Sequence, residues 1–283
     1  MTPPNLSTNA RNTWCPGCFN FSILAGVKNV LQERIKTEKD REKFAIVSGI
    51  GCHAKIFDYL NLNGLNALHG RVIPICLGMK IGNPNLNVIG FSGDGDAYAE
   101  GIEHLIHAAR YNANFKYIVH NNQVFALTVG QPTPTTELGF KDKTTPLGVK
   151  LMPLNPIKLM LSANASFVAR VYADVKEIER VLQLALQHEG FAFIEVLQPC
   201  LIFHPDANYK PHLYNLQDNK HDKSNMQEAM KKADEWDYNT INEKTKIPVG
   251  IFYQKERETF EEIYPILAKL KKDGIGWKTL RTS

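Results

Sequence analysis

Two side chains with hard oxygen ligands, Asp94 and Asn122, each follow a run of apolar residues. Asp94 lies between Gly93 and Gly95, and Asn122 follows it by 28 residues. Glycines on both sides of Asp94 let the backbone turn sharply and approach a ligand closely. Mg²⁺ prefers carboxylate and amide oxygens and often binds phosphate oxygens as well. The pair therefore predicts a magnesium site that anchors a phosphorylated ligand.

The five cysteines form a second set of residues that could do chemistry. Cys15 and Cys18 are separated by Pro-Gly at the start of a predicted helix, a spacing that suits either one metal centre or a thioredoxin-like redox pair. A redox pair normally follows a strand, and no strand is predicted before this one. Cys52 and Cys200 both follow predicted strands; Cys52 considered alone is equally well an ordinary buried cysteine. Cys76 lies in an apolar helix and is predicted to be a core residue.

A strand, a helix and a second strand position Asp94 and Asn122. The apolar run Leu86–Phe91 predicts a buried strand, Glu100–Arg110 predicts an amphipathic helix, and Phe115–His120 predicts the next strand. Parallel strands joined in this way present their carboxyl ends at one edge of a sheet, where open α/β folds bind ligands. The two side chains are therefore expected to lie close together.

The rest of the chain continues the α/β pattern. Further strands are predicted at Phe44–Ser48, Phe167–Val171, Phe191–Leu197 and Ile247–Tyr253, and further helices at Phe19–Lys36, Val72–Ile81, Pro156–Ser162, Asp174–His188, Met226–Trp236 and Phe260–Leu270. Asn61–Ala67 is predicted to be a loop. So is Val124–Pro146, whose length indicates a function, here covering the phosphate site. We expect a main domain over residues 1–203 and a C-terminal extension over residues 204–283 that packs on this domain or on a partner.

Composition limits the classes of function. The chain has 283 residues, 43% of them hydrophobic, which is ample for one large core, and its net charge is +4. Acidic and basic residues alternate, so no nucleic-acid partner is expected. No apolar run is long enough to span a bilayer and no signal peptide is visible, so we expect a cytoplasmic protein without a membrane partner. Cysteines in that compartment favour metal or cluster ligands over disulfides.

The motif GDG followed by NN resembles the signature of thiamine-diphosphate-binding folds. Over nearly its whole length the chain also resembles the β subunit of the two-subunit 2-oxoacid:ferredoxin oxidoreductases. The motifs that carry this resemblance are TWCPGC, GIGCHAK, LHGR, GDGD, NNQVFALTVGQPTPTT, the late QPC and IPVGIFY. A thiamine-diphosphate decarboxylase would share GDG and NN but not the four cysteines.

The resemblance implies a mostly parallel sheet flanked by helices and a specific set of site residues. Cys15, Cys18, Cys52 and Cys200 would hold one [4Fe–4S] cluster. Asp94, Asn122 and the carbonyl of Val124 would bind Mg²⁺. Lys55 would face the substrate acid as a catalytic residue, although a solvated lysine is the simpler alternative. The cofactor-binding residues would be Ile50, Gly51, Cys52, His53, His69, Gly93, Asp94, Gly95, Asp96, Asn122, Val124, Ala126, Leu127 and Thr128.

The family's reaction implies several partners. A 2-oxoacid loses CO₂, its acyl group passes to coenzyme A, and two electrons pass singly through the cluster to ferredoxin. The glutamate that activates thiamine diphosphate comes from another polypeptide in this family, and this sequence contains no candidate for it. The chain is therefore expected to be active only with an α subunit.

Several residues depart from the family's usual pattern. Phe19 stands where glycine is usual, His53 where serine is common, Phe125-Ala126 where Tyr-Gly is usual, and Glu103 where a small or amide residue is commoner. These departures leave pyruvate, 2-oxoglutarate and branched-chain acids open as substrates. The alternative function is a non-redox thiamine-diphosphate decarboxylase or synthase subunit with a structural zinc site, because four cysteines also suit Zn²⁺.

Overall fold

Short apolar runs that alternate with amphipathic segments produce a layered α/β structure in the computed structural model, which describes residues 3–239 and 241–276. The helices are α1 (Asn20–Arg34), α2 (Glu38–Arg41), α3 (Ile56–Tyr59), α4 (Val72–Gly82), α5 (Ile102–Tyr111), α6 (Pro156–Ser162), α7 (Val175–Gln187), α8 (Met226–Ala233), α9 (Phe260–Ile263) and α10 (Pro265–Asp273). The strands are β1 (Phe44–Ser48), β2 (Asn63–Asn66), β3 (Asn87–Gly93), β4 (Phe115–Asn121), β5 (Val124–Phe125), β6 (Gln131–Pro132), β7 (Phe167–Tyr172), β8 (Ala192–Leu197), β9 (Leu213–Asn215) and β10 (Ile247–Gln254).

Eight of these strands form one sheet in the order β2-β1-β3-β4-β8-β7-β10-β9. All neighbouring pairs are parallel except β10 with β7. Strands β5 and β6 form a separate hairpin inside the long loop. The mostly parallel sheet agrees with the sequence prediction, and the carboxyl ends of β1, β3, β4 and β8 lie at one edge.

Both faces of the sheet are covered, which explains why its central strands are mostly apolar. On one face α1 and α7 pack in a core with Ile46 and Ile118, and on the other α4, α5 and α6 pack with Val47 and Val119. Local signals fix the helix starts. The side chain of Asp174 accepts hydrogen bonds from two backbone N–H groups at the start of α7, as an N-cap residue does.

Strand β2 shows where the sequence prediction of a loop at Asn61–Ala67 was wrong. Asn63–Asn66 pairs with β1 as a parallel edge strand, and all four of its residues are exposed. An exposed edge strand buries no side chain on either face, so it has no apolar pattern that would reveal it.

Two helix predictions also need correction. Residues Gly95–Glu100 form a π-helical turn directly after Asp94, and α5 begins only at Ile102. The single helix predicted over Phe260–Leu270 is two helices, α9 and α10, with Pro265 at the start of the second. Proline cannot donate an N–H inside a helix, but it suits the first turn of a new one.

The segment after residue 203 contributes β9 and β10 to the main sheet. Strand β10 pairs with β7 and β9 pairs with β10, so the predicted boundary falls between two strands of one sheet. Residues 277–283 of the predicted extension, together with Met1, Thr2 and Thr240, lie outside the described residues. No helix in the described ranges is both long and apolar enough to cross a membrane.

Candidate cofactor and metal site

A cavity of about 90 Å³ lies at the carboxyl edge of β1, β3 and β4. All fourteen predicted cofactor-binding residues line it: Ile50, Gly51, Cys52, His53, His69, Gly93, Asp94, Gly95, Asp96, Asn122, Val124, Ala126, Leu127 and Thr128. The structure thus brings together residues from four separate parts of the chain. The lining also includes Asn20, His120, Phe125 and Gln198, which were not predicted.

Two glycines make close contacts at this cavity that no other residue would permit. A Cβ atom on Gly49 would lie 1.9 Å from Asp96 Oδ2, and one on Gly95 would lie 2.0 Å from the ring of Phe125. Both distances are far shorter than any van der Waals contact. The GIGC and GDG motifs therefore let the backbone pass directly beside Asp96 and under Phe125.

Asp94 is buried at the floor of the cavity and is held by hydroxyl groups of the long loop. Thr133 Oγ1 donates to Asp94 Oδ2 over 2.5 Å, and Thr135 Oγ1 lies 3.3 Å from the same oxygen. Burial raises the pKa of Asp94 to about 7, while the hydrogen bonds from Thr133 and the Asn122 backbone act in the opposite direction. A cation bound here would favour the carboxylate form.

Asn122 and Val124 lie on the turn that leaves β4. Asn122 Oδ1 accepts a hydrogen bond from the N–H of Val124 over 3.1 Å, which fixes the side chain against the turn. Val124 pairs in register with Pro132. Because proline has no N–H, Pro132 cannot donate to the Val124 carbonyl.

Asp96 joins two histidines on the opposite wall. Asp96 Oδ1 accepts from the N–H of Gly70 over 2.7 Å, and it lies 3.4 Å from His69 Nδ1. Asp96 Oδ2 lies 3.6 Å from His53 Nε2. Burial acts to raise the pKa of Asp96, but hydrogen bonding and charge from His53, with the Gly70 N–H, outweigh it, and the pKa is lowered. Asp96 is therefore the ionised acid of the cavity.

Several buried polar atoms of the lining have no hydrogen bond of normal geometry within the part of the chain that the structure describes. They are His53 Nε2, His69 Nδ1, Asp96 Oδ2, His120 Nε2 and Gln198 Oε1. A buried polar atom without a partner costs about 1–3 kcal/mol. These atoms offer hydrogen-bond partners to a polar ligand in the cavity.

A second cavity, of about 210 Å³, is lined by Cys15, Cys18, Cys52 and Cys200. All four thiols are free, and the fifth cysteine, Cys76, lies in the core between α4 and the sheet, as predicted. In the described ranges no three His, Cys, Asp or Glu side chains are close enough together to hold a single metal ion. Burial raises the pKa of Cys18 and Cys52, and the Lys55 charge opposes this at Cys52.

Hydrogen-bond donors surround the cysteines. Gln198 Nε2 lies 3.7 Å from Cys18 Sγ, the N–H of Phe203 lies 3.4 Å from Cys200 Sγ, and Trp14 Nε1 donates to the Cys52 carbonyl over 2.7 Å. The two cavities are adjacent, because they share Asn20, Cys52, Asn122, Ala126, Leu127 and Gln198.

Lys55 lines the cysteine cavity and not the first one. Its ammonium group donates to the carbonyl of Thr13 over 3.2 Å, next to the CPGC segment. The predicted catalytic lysine thus stands beside the thiols, one cavity away from the histidines.

Sequence signals for the residues that were missed are weak. His120 directly precedes Asn121-Asn122 and Gln198 precedes Pro199-Cys200, so proximity to a motif could have suggested both. Asn20 is 1% exposed within an apolar helix start, and its Oδ1 lies 2.8 Å from His120 Nδ1. Burial lowers the pKa of His120 well below its usual value, so the ring is neutral.

Two family models match the chain. One, described as "Thiamine pyrophosphate enzyme, C-terminal TPP binding domain", matches residues 49–196, more than half of the chain. The other describes the C-terminal part of the pyruvate ferredoxin oxidoreductase beta subunit and matches residues 206–269. The first match contains almost all of the residues that line the first cavity.

Relatives of known function agree with these matches. The 2-oxoacid:ferredoxin oxidoreductase subunit beta of Saccharolobus solfataricus is 39% identical over 268 residues, covering 89% of this chain and 85% of the relative. The chain belongs to the family of 2-oxoacid:ferredoxin oxidoreductase β subunits. The 2-oxoglutarate synthase subunit KorB of Methanocaldococcus jannaschii is 34% identical, covering 92% of this chain and 94% of the relative.

A solved structure supports the same assignment of fold. The 2-oxoglutarate:ferredoxin oxidoreductase of Magnetococcus marinus, solved with 2-oxoglutarate, coenzyme A and succinyl-CoA bound, superposes with a TM-score of 0.84 and 32% identity. The match covers 98% of this chain and 92% of that one. The predicted family and the thiamine-diphosphate-binding fold are therefore confirmed, and the chain provides the thiamine-diphosphate-binding domain of an oxidoreductase.

Proposed function

We propose that this β subunit, together with an α subunit, catalyses the coenzyme A-dependent oxidative decarboxylation of a 2-oxoacid such as 2-oxoglutarate or pyruvate. The products are acyl-CoA and CO₂, and the electrons reduce ferredoxin. One observation carries the proposal: the predicted cofactor residues line one cavity, the four cysteines line the next, and Cys52 belongs to both.

The first cavity fits thiamine diphosphate anchored by Mg²⁺. Three hard oxygen ligands are available, from Asp94, Asn122 and the Val124 carbonyl. Mg²⁺ prefers oxygen ligands of this kind and binds phosphate oxygens in addition to them. The buried atoms of His53, His69 and Asp96 that have no normal hydrogen bond would then find partners on the cofactor.

The second cavity fits a [4Fe–4S] cluster. Such clusters are held by four cysteine thiolates, and their potential depends on hydrogen bonds to sulfur and on exposure. Cys15, Cys18, Cys52 and Cys200 would be the ligands, and Gln198 and the Phe203 N–H would supply hydrogen bonds. When bound, thiamine diphosphate supplies the chemistry that releases CO₂ and the cluster carries single electrons.

Lys55 would bind the carboxylate of the substrate. Its ammonium group has no carboxylate partner among the described residues and donates only to the Thr13 carbonyl. It lines the cysteine cavity and lies close to Cys52, a residue that both cavities share. A cation suits a carboxylate ligand because charge-assisted hydrogen bonds are strong.

An α subunit would cover the mouths of both cavities. Apolar side chains at the mouths are exposed in the isolated chain: Ile50 is 44%, Leu127 is 50% and Val129 is 62% exposed. Exposed apolar residues that cluster at a site mark an interaction surface. Residues of that partner would complete the enzyme, since among the described residues no glutamate lines either cavity.

The test is Cys200→Ser, compared with Cys76→Ser as the matched control, in the enzyme co-expressed with its α subunit and purified without oxygen. Cys76 is a buried core cysteine outside both cavities. We expect Cys200→Ser to lower iron and labile sulfide, to change the electron paramagnetic resonance spectrum after dithionite reduction, and to abolish ferredoxin reduction. Cys76→Ser should leave all three unchanged.

A different metal content would contradict the proposal. One zinc per chain, with no iron and with normal ferredoxin-independent decarboxylation in Cys200→Ser, would establish the non-redox alternative. Normal ferredoxin reduction by Cys200→Ser would show that the cluster ligands are assigned wrongly.

A further inference from the structure

A buried ion pair next to the cofactor cavity has no part in the chemistry proposed above. Arg170 in β7 and Glu195 in β8 are fully buried, and Arg170 Nε donates to Glu195 Oε2 over 2.9 Å. Tyr238, from the C-terminal segment, donates its hydroxyl to Glu195 Oε2 and accepts from Arg170 Nη2. Tyr238, which lies far away in the sequence, therefore contacts both members of the ion pair.

Aromatic rings enclose the arginine. Its guanidinium carbon lies 4.9 Å from the ring centre of Tyr238 and 5.0 Å from that of Trp236. Arg170 Nη1 also donates to the Pro248 carbonyl over 3.2 Å. Burying two charges costs desolvation that a well-packed apolar pair would not, so a buried ion pair is weak evidence for stability by itself. Its contacts with the neighbouring strand indicate what else it does.

Glu195 fixes the orientation of the Asn121 amide at the end of β4. Asn121 Nδ2 donates to Glu195 Oε1 over 2.8 Å. An ionised carboxylate only accepts hydrogen bonds, so the amide must turn its NH₂ group towards it. Asn121 Oδ1 then faces the other way, where the Gln123 N–H donates to it over 3.1 Å and the Thr135 hydroxyl over 2.9 Å.

These two contacts connect the amide to the proposed magnesium ligands. The bond to Gln123 closes a turn around Asn122, and Gln123 has a positive φ of 60°, which is unusual for a non-glycine residue. Thr135 also lies 3.3 Å from Asp94 Oδ2. If the amide were reversed, its NH₂ group would face the Gln123 N–H, and that hydrogen bond would be lost. The Thr135 hydroxyl could then only accept from the amide, instead of donating to it.

We infer that the Arg170–Glu195 pair, with Tyr238, is a positioning element for the magnesium site: it orients the Asn121 amide, which holds Asn122 and the hydroxyl next to Asp94. The inference rests on the proposed Mg²⁺-dependent binding of thiamine diphosphate. It also assigns a role at the site to a residue of the C-terminal segment.

The experiment is a magnesium titration of Glu195→Gln in the assembled enzyme after removal of its thiamine diphosphate. Glutamine has one acceptor and one NH₂ group, so it cannot accept from both Asn121 and Arg170. The free Mg²⁺ concentration at which half of the added thiamine diphosphate binds, measured by calorimetry, should rise about 10- to 100-fold, as for partners of metal ligands. Iron content should not change.

Glu261→Gln is the matched control. Glu261 is 1% exposed, lies 3.5 Å from the buried Lys80, and accepts from the Asn114 N–H at the opposite edge of the sheet. The variant also neutralises a buried, paired carboxylate. It should lower thermal stability and leave the Mg²⁺ requirement unchanged, which separates positioning from a general loss of stability.

Tyr238→Phe covers the case in which Glu195→Gln does not fold. It removes only the hydroxyl that bridges Glu195 and Arg170, and it should raise the Mg²⁺ requirement by a smaller factor. Tyr117→Phe, a buried tyrosine of β4 whose ring lies beside Phe191, should not raise it. An unchanged requirement in Tyr238→Phe, or in a folded Glu195→Gln, would overturn the inference.

Asp94→Asn distinguishes this outcome from failure of the proposed function. If Asp94→Asn abolishes Mg²⁺-dependent binding while Glu195→Gln and Tyr238→Phe leave it unchanged, the site is correct and the positioning role is wrong. If Asp94→Asn itself binds thiamine diphosphate normally, the proposed magnesium site is wrong and the inference fails with it.

Discussion

Charged side chains are buried both where the amino ends of the strands lie (the amino edge of the sheet) and where their carboxyl ends lie (the carboxyl edge). The hydrogen bonding of these side chains differs between the two edges. At the amino edge the ammonium group of Lys116 donates to Asn114 Oδ1 and to the carbonyls of His188 and Gly190 over 2.7–3.0 Å. Lys80 donates to the Pro84 and Leu86 carbonyls. Each of these charges has its partners within the chain.

The carboxyl edge leaves its polar groups incomplete. There His53, His69 and Asp96 each have a buried atom without a normal hydrogen bond among the described residues. At the amino edge, His188 Nδ1 also lacks such a hydrogen bond. Natural structures satisfy most buried polar groups internally. The contrast indicates that burial alone does not identify a functional site. A concentration of unsatisfied polar atoms around a cavity does so more reliably.

The largest effect is expected for Asp94→Asn at the carboxyl edge, and it is an effect on the binding of thiamine diphosphate. The variant keeps the size of the side chain but removes the negative charge that a magnesium ion needs. Thiamine diphosphate affinity at a fixed Mg²⁺ concentration should fall by more than about 100-fold, beyond the range for partners of metal ligands. Binding is measured by calorimetry on the assembled enzyme, with iron content as the internal control. Unchanged binding would remove Asp94 from the site.

Glu261→Ala should have its effect on stability and not on binding. Removing this carboxylate leaves Lys80 buried without its counter-ion and takes an acceptor from the Asn114 N–H. The free energy of unfolding in denaturant should fall by about 3 kcal/mol. The exposed Glu256→Ala serves as the control, for which a change within about 0.5 kcal/mol is expected. Weaker thiamine diphosphate binding in Glu261→Ala would mean that the two edges are coupled.

Lys55→Met tests the role of a cation at the carboxyl edge. Lys55 donates to one carbonyl, whereas Lys116 at the amino edge donates to three oxygen acceptors. Loss of one charge-assisted hydrogen bond should raise the KM for the 2-oxoacid about tenfold. Thermal stability and cofactor content should stay the same. Lys39→Met, an exposed lysine in α2, is the control. If KM is unchanged while the midpoint potential of the cluster shifts, Lys55 acts on Cys52 and not on the substrate.

Sequence patterns were sufficient for those parts of the fold that are local. Strands β1, β3, β4 and β8 are short apolar runs ended by glycine or polar residues, and their ends carry the motif residues. Because a parallel sheet gathers those ends at one edge, the strand predictions placed Asp94 and Asn122 together. The other predicted residues of the cavity lining followed from the resemblance to the family. Strand β2 was missed since it buries no side chain.

The tertiary part of the site could not be obtained from the sequence. Arg170 and Glu195 each stand alone in an apolar strand, which is a visible signal of a buried charge, but their pairing depends on β7 lying next to β8. The contact of Tyr238 with both depends on how the segment after β8 returns to the sheet. No local pattern encodes such a return path.

The smallest expected effect is the pH dependence contributed by His188 at the amino edge. Burial, with the nearby charge of Lys116, lowers the pKa of His188 to about 4, while Glu189 acts in the opposite direction. Between pH 6.5 and pH 4 the unfolded histidine binds a proton that the folded one does not. Stability from this group is therefore complete above pH 6.5 and is lost as the pH falls towards 4.

His188→Gln should remove this loss. Between pH 7.5 and pH 5.5 the native chain should lose about 1 kcal/mol more of its unfolding free energy than the variant does. Denaturant unfolding at the two pH values measures the difference, and His107→Gln, an exposed histidine in α5, should behave like the native chain. An equal loss in native and His188→Gln proteins would place the acid sensitivity elsewhere.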